Sequence, residues 1–271
     1  MKTKLRNFIW LGIGYLTLKW LLIGTVGAYL YKTGQWSHWY FLLIPIIGFF
    51  IFKIIRVIFF KRSFLFGYRK SFFKILKSHY PETYKKLLNE VEQDFAITSR
   101  DIAFASKSKN PLDKRLDFSA YFLSLVRILN RYGESYQRIK EISIEVATDY
   151  VKPKNKLQAY LKKLPVKLIN TRLAGVVFAL LNRKIKTKGH PDGFKAHIIT
   201  DKGKTLGLGY GIDIHECGIC KLFNKHHAQE YTSILCEVDK ITTSLAGLEM
   251  IRTGTIAKGA SRCDFRYRLF V

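Results

Sequence analysis

Phe194-Lys-Ala-His-Ile-Ile-Thr200, Asp201-Lys-Gly-Lys204 and Leu206-Gly-Leu-Gly-Tyr-Gly-Ile-Asp-Ile-His-Glu216 decide the fold. The first and third runs alternate apolar and polar side chains, as half-buried strands do, and the second is turn chemistry. Gly189-His-Pro-Asp-Gly193 ahead of them is a turn as well. The pattern predicts a hairpin of Phe194–Thr200 and Leu206–Glu216. From Ile219 to about Ala246 the spacing turns helical, with Ile234, Val238, Ile241 and Leu245 on one stripe. Leu248–Ala257 and Arg262–Phe270 then read as a second pair of strands around Gly259. Two strands, helices and two strands predict an antiparallel sheet with helices on one face, an α+β layout.

Upstream, Phe64 to about Leu181 reads as helices. Pro81-Glu82 is a helix start and Asn110-Pro111 a break. Phe118–Leu129 and Ile139–Tyr150 carry apolar side chains at helical spacing. Farther upstream, Phe8–Tyr31 and Trp39–Phe60 are long enough and apolar enough to cross a bilayer. Lys19 interrupts the first, at a cost of a few kcal/mol on insertion. Trp36, Trp39, Tyr31 and Tyr40 cluster at the polar turn between the spans, as an interfacial aromatic belt would. Lys2, Lys4 and Arg6 precede the first span, and Lys61, Arg62, Arg69 and Lys70 follow the second. The excess of basic residues outside the turn predicts a multi-pass cell-membrane protein with both termini and the main domain cytoplasmic. The expected division is a membrane anchor of two transmembrane helices (1–62), a helical region (63–188) and an antiparallel-sheet region (189–271), the last two packed as one domain.

The net charge of +26 is uneven: residues 1–81 hold 13 Lys and Arg and no acid. Between Val151 and Pro191 there are eleven more and again no acid. Such a face suits an anionic partner. An anionic lipid bilayer is the expected one, because no nucleic-acid-binding pattern accompanies the charge. An ordinary solvated face is the other reading.

All four cysteines, Cys217, Cys220, Cys236 and Cys263, fall in the C-terminal block, too few for a disulfide scaffold in a chain of 271 residues. Strand alternation places Asp213, His215 and Cys217 on one side. Helical spacing places Cys236 beside Asp239. A site gathering His215, Cys217, Cys236 and Asp239 is expected between sheet and helix. Cys217-x-x-Cys220 with Cys236 and Asp239 is also a set that would accept zinc. Other motifs fail: Gly203-Lys204-Thr205 lacks the first glycine of a phosphate loop, and His215-Glu216 lacks the second histidine of a zincin. No cofactor is implied beyond that zinc.

Four pieces in order, Asp213-Ile-His-Glu-Cys217, Cys236-Glu-Val-Asp239, Arg252-Thr-Gly-Thr255 and Gly259 to Phe265 with its Cys263-Asp264-Phe265, resemble the L-2-amino-thiazoline-4-carboxylic acid hydrolase family. The resemblance runs from about Phe194 to Phe270. It implies hydrolysis of a carbon–nitrogen bond in a cyclic amidine such as 2-amino-thiazoline-4-carboxylate. That chemistry needs a nucleophile, a proton donor and a cation for the substrate carboxylate. On this reading Cys236 is the nucleophile, His215 the proton carrier and Asp239 its partner. Arg252 and Thr255 hold the small-molecule substrate, and Cys263 and Asp264 complete the pocket. A non-enzymatic domain at the membrane, sensing metal, redox state or a small ligand, is the alternative.

Overall fold

In the computed structural model the residues described are 67–169, 171–186 and 189–269, with 24, 25, 28, 29 and 31–34 from the N-terminal part. The chain divides into two compact units, Met1–Phe66 and Gly67–Val271. In the first unit the described residues are helical up to Lys32, and a turn follows at Thr33 and Gly34. Gly34 has φ +68°, and the Thr33 hydroxyl donates to the Tyr29 carbonyl at 3.0 Å. Apart from these few positions, the expected spans Phe8–Tyr31 and Trp39–Phe60 lie outside the described residues. Among the described residues no helix is long and apolar enough to cross a membrane.

The second unit opens with α1 (Arg69–His79), α2 (Tyr84–Asp101), α3 (Arg115–Arg131) and α4 (Tyr136–Val151). Helix α3 is the axis of the unit. Leu116, Ala120, Phe122, Leu123, Val126 and Leu129 are buried on several sides of it, the mark of a helix packed all round. Helices α2 and α4, and a short helix from the sheet block, pack on it. Tyr68, Phe72, Phe95 and Tyr121 meet edge to face beside it, an arrangement that suits the ring quadrupoles. Buried phenols need partners: Tyr68 donates to Asp117 at 2.9 Å and Tyr121 to Glu92 at 2.8 Å. Gly133 (φ +79°) ends α3, and Ser135 caps α4 by accepting the Arg138 N–H at 3.2 Å. Two basic helices follow, α5 (Lys156–Leu168) and α6 (Arg172–Lys186).

The C-terminal block is β1 (Lys195–Ile199), β2 (Gly211–Glu216), α7 (Gly218–Lys225), α8 (Thr232–Leu245), β3 (Leu248–Ile251) and β4 (Cys263–Leu269). The strands form one antiparallel sheet in the order β1-β2-β4-β3, so the expected α+β layout holds. Two strands are much shorter than their sequence pattern. Strand β2 begins at Gly211 rather than Leu206, because Leu206 (φ 56°) and Gly207 (φ +83°) turn left-handed. Thr205 knits that turn, donating to the Asp201 carbonyl at 2.6 Å and accepting the Gly209 N–H at 2.9 Å. Strand β3 stops at Ile251, because the Asp264 carboxylate takes the N–H groups of Thr253 and Gly254 at 3.0 Å. The expected helices between the strand pairs are α7 and α8, separated where His227 adopts φ 52°.

A short 3₁₀ turn, Pro111–Lys114, ties the helices to the sheet block. The buried Asp113 carboxylate accepts the Phe194 N–H at 2.9 Å, and the Asn110 side-chain amide donates to the Phe194 carbonyl at 2.9 Å. Both main-chain groups of one residue are thus held from a turn more than eighty positions away. Gly193 is required beside it, since a Cβ there would stand 2.7 Å from Asp113 Oδ1.

Candidate functional site

Register settles which side of the sheet carries the site. Ile214 pairs with Cys263 and Ile212 with Phe265, and this face turns toward the helices. Asp213 pairs with Asp264 on the other face. Two carboxylates directly opposed would repel. Asp213 is therefore taken by Arg266 at 2.8 Å, with Arg262 at 3.7 Å, while Asp264 is held by the Thr253–Gly254 turn. His215 follows Asp213 on this outer face and is exposed. The expected grouping of His215 with the cysteines is therefore not found, and Asp264 serves the β3–β4 connection instead of a pocket. Strand alternation misplaces Cys217 because β2 ends at Glu216. Cys217 is already the residue that caps α7.

On the inner face is a small cleft with about 30 Å³ of free space. Cys217, Cys236, Asp239 and Cys263 line it together with Arg115. Four expected residues therefore do converge, and Cys220 stands behind Cys217, one turn into α7. Arg115 comes from the first turn of α3 and pairs with Asp239 at 2.5 Å. Arg252 borders the site, with its guanidinium 5.2 Å from the centre of the Phe265 ring and Nη2 donating to the Cys236 carbonyl at 3.4 Å. Among the described residues, the buried polar atoms without a hydrogen-bond partner include Arg252 Nη1, Thr255 Oγ1 and Thr232 Oγ1, and Thr232 lines the cleft. Such atoms cost free energy unless a ligand or water meets them.

The thiols differ sharply. Cys217 sits at the start of α7, where the neighbouring Cys220 thiol and the first amides of the helix act on it most strongly. With Arg115 nearby, these interactions pull the Cys217 thiol down to about 7 against the opposing effect of burial. Cys220 is pushed up by the neighbouring Cys217 and by its own burial. Burial pushes Cys236 up to about 12, against the pull of Arg252. Burial also raises Cys263, whose sulfur accepts the Ile256 N–H at 3.2 Å. Among the described residues no three His, Cys, Asp or Glu side chains group as metal ligands. The expected zinc set of Cys217, Cys220, Cys236 and Asp239 is disfavoured for a visible reason, because Asp239 is turned to Arg115.

One feature of the cleft escapes a reading of the sequence. Arg115 lies 124 positions from Asp239 and no local pattern points to it. The role of Cys217 did have a signal: a Cys-x-x-Cys that closes a strand and opens a helix puts its first thiol among free N–H groups.

Sheet, helices and cleft together define an α+β protein with a small thiol-lined cleft. Residues 133–267 match the model of the family described as L-2-amino-thiazoline-4-carboxylic acid hydrolase. Over that stretch, the chain belongs to this family. No curated protein and no solved structure matches the chain.

Proposed function

We propose that this protein is a hydrolase that opens a cyclic amidine such as 2-amino-thiazoline-4-carboxylate, with Cys217 rather than Cys236 as its nucleophile. The observation that carries the reading is the Cys217 thiol at the head of α7, beside Arg115, in a cleft whose other thiols are held neutral. A thiolate adds to the amidine carbon, a ring bond to that carbon breaks, and the departing heteroatom takes a proton. Water then displaces the thiol and frees the product. Arg252, with one nitrogen unpartnered, and the free hydroxyl of Thr232 are the donors available to the substrate carboxylate and ring. Asp239 holds Arg115 in place. His215, on the far face of the sheet, has no part in this chemistry.

The test is ring opening of 2-amino-thiazoline-4-carboxylate by the full chain, purified in mild detergent. Cys217→Ala is expected to lower turnover by about a thousandfold or more, as loss of a nucleophile does, while Cys236→Ser and His215→Gln keep most of it. Full turnover in Cys217→Ala sinks the assignment.

The same chain is read as a membrane protein, with an anionic bilayer as its second partner. Supporting this, α5 and α6 leave Leu157, Tyr160, Leu161, Val176, Val177 and Leu180 exposed among lysines. Apolar side chains interleaved with basic ones suit a lipid interface.

A further inference from the structure

Cys217 and Cys220 are placed for more than hydrolysis. Cys217 closes β2 and caps α7, and Cys220 lies in the first turn of that helix, three positions on. That spacing, the cap position and the third helical residue, puts both side chains on one side of the helix. Cys236 and Cys263 face the same cleft from α8 and β4. The cleft also holds the Thr232 hydroxyl, buried to 3% exposure and unpartnered, so a polar molecule entering it finds a donor.

We propose that Cys217 and Cys220 form a reversible disulfide, made by exchange with a small dialkyl disulfide of the glutathione type. The inference rests on the reading of Cys217 as the reactive thiol, and it does not require the hydrolase substrate to be right. The Cys217 thiolate attacks one sulfur of the incoming disulfide. A mixed disulfide forms and one thiolate leaves. Cys220 then gives up its proton and attacks Cys217 Sγ. The second thiolate leaves and takes that proton. The two protein thiols are oxidised by two electrons, and the small disulfide is reduced to two thiols. Helix N–H groups that favour the thiolate also favour the reduced pair, which makes such a bridge easy to reopen. Closing it removes the nucleophile, so hydrolysis stops under oxidising conditions and returns on reduction.

The test equilibrates the full chain, in detergent, with mixtures of reduced and oxidised glutathione. Acid quenching, alkylation and peptide mapping follow. Reduced protein has four alkylatable cysteines. Oxidised protein is expected to lose two of them to one Cys217–Cys220 bridge. Cys236→Ser and Cys263→Ser are expected to form the same bridge. In Cys220→Ser, Cys217 is expected to stop as a glutathione adduct with no internal bridge. A bridge from Cys217 to Cys236, or no loss of thiols at any glutathione ratio, overturns the proposal. The mapping needs no turnover. A chain that bridges but opens no thiazoline refutes the hydrolase reading alone. One that turns over equally well at every glutathione ratio refutes the switch alone.

Discussion

Cys217 and Cys236 line one cleft, and their surroundings give them opposite characters. The start of α7 and the nearby Arg115 favour the charge of Cys217, whereas burial around Cys236 opposes it. The rate of alkylation by iodoacetamide should therefore rise with pH through about 7 at Cys217 and level off above it, because the reactive form is the thiolate. Cys236 should stay unreactive across neutral pH. Arg115→Gln removes a positive charge that favours the thiolate, so the Cys217 midpoint should move upward. Peptide-resolved alkylation measures both, and an unmoved midpoint would deny Arg115 its part. At this scale the sequence was half legible. The concentration of thiols and carboxylates was visible, and four of the expected side chains share the cleft. His215 was misjudged because alternation says which side chains share a face, not which face the helices cover. Cys217 was grouped with it because the pattern does not show where a strand ends.

Among the elements, the Asn110–Asp113 turn is where the helices hold the sheet block. Asp113→Ala would strand the buried Phe194 N–H and should cost about 1–3 kcal/mol, read as a lower midpoint of thermal or denaturant unfolding. Gly193→Ala should also destabilise, since its Cβ would crowd Asp113 Oδ1. If neither substitution shifts the midpoint, the turn is not holding the block. The elements themselves were largely readable, with all four strands falling inside their expected ranges. What was hidden lay at their ends. Leu206, whose side chain fits a strand, takes a left-handed backbone, and His227 does the same between α7 and α8. Both turns are knit by near neighbours in sequence, but neither residue type announces a left-handed backbone. Asp264 ends β3 from another strand, which no local pattern shows.

For the whole molecule the dominant quantity is charge, and α5 is where it meets exposed apolar surface. The unit Gly67–Val271 has a core of its own, so its binding can be measured apart from the N-terminal residues. Flotation with phosphatidylserine vesicles is expected to retain it at low salt and release it as salt rises. Changing Lys156, Lys162 and Lys163 together to Gln should weaken binding roughly a hundredfold, at about 1 kcal/mol for each lysine. Equal retention by neutral vesicles would remove the electrostatic part of this reading. The charge and its unevenness were open to inspection in the sequence. The exposure of Leu157, Tyr160 and Leu161 was not, because a helical apolar stripe looks the same whether it meets a core or a solvent.

The cation beside Cys217 is supplied from a distant part of the chain. Residues 133–267 carry the family's match, and Arg115 lies outside them. The thiol and its counter-charge thus come from separate stretches of the polypeptide. A transplant of the matched stretch onto a foreign scaffold would bring the sulfur without the guanidinium that tunes it. A relative that keeps every cysteine but lacks a basic residue at the head of this helix would hold a slower thiol in the same cleft. Reactivity could drift across such proteins while the thiol-bearing segment itself stayed unchanged.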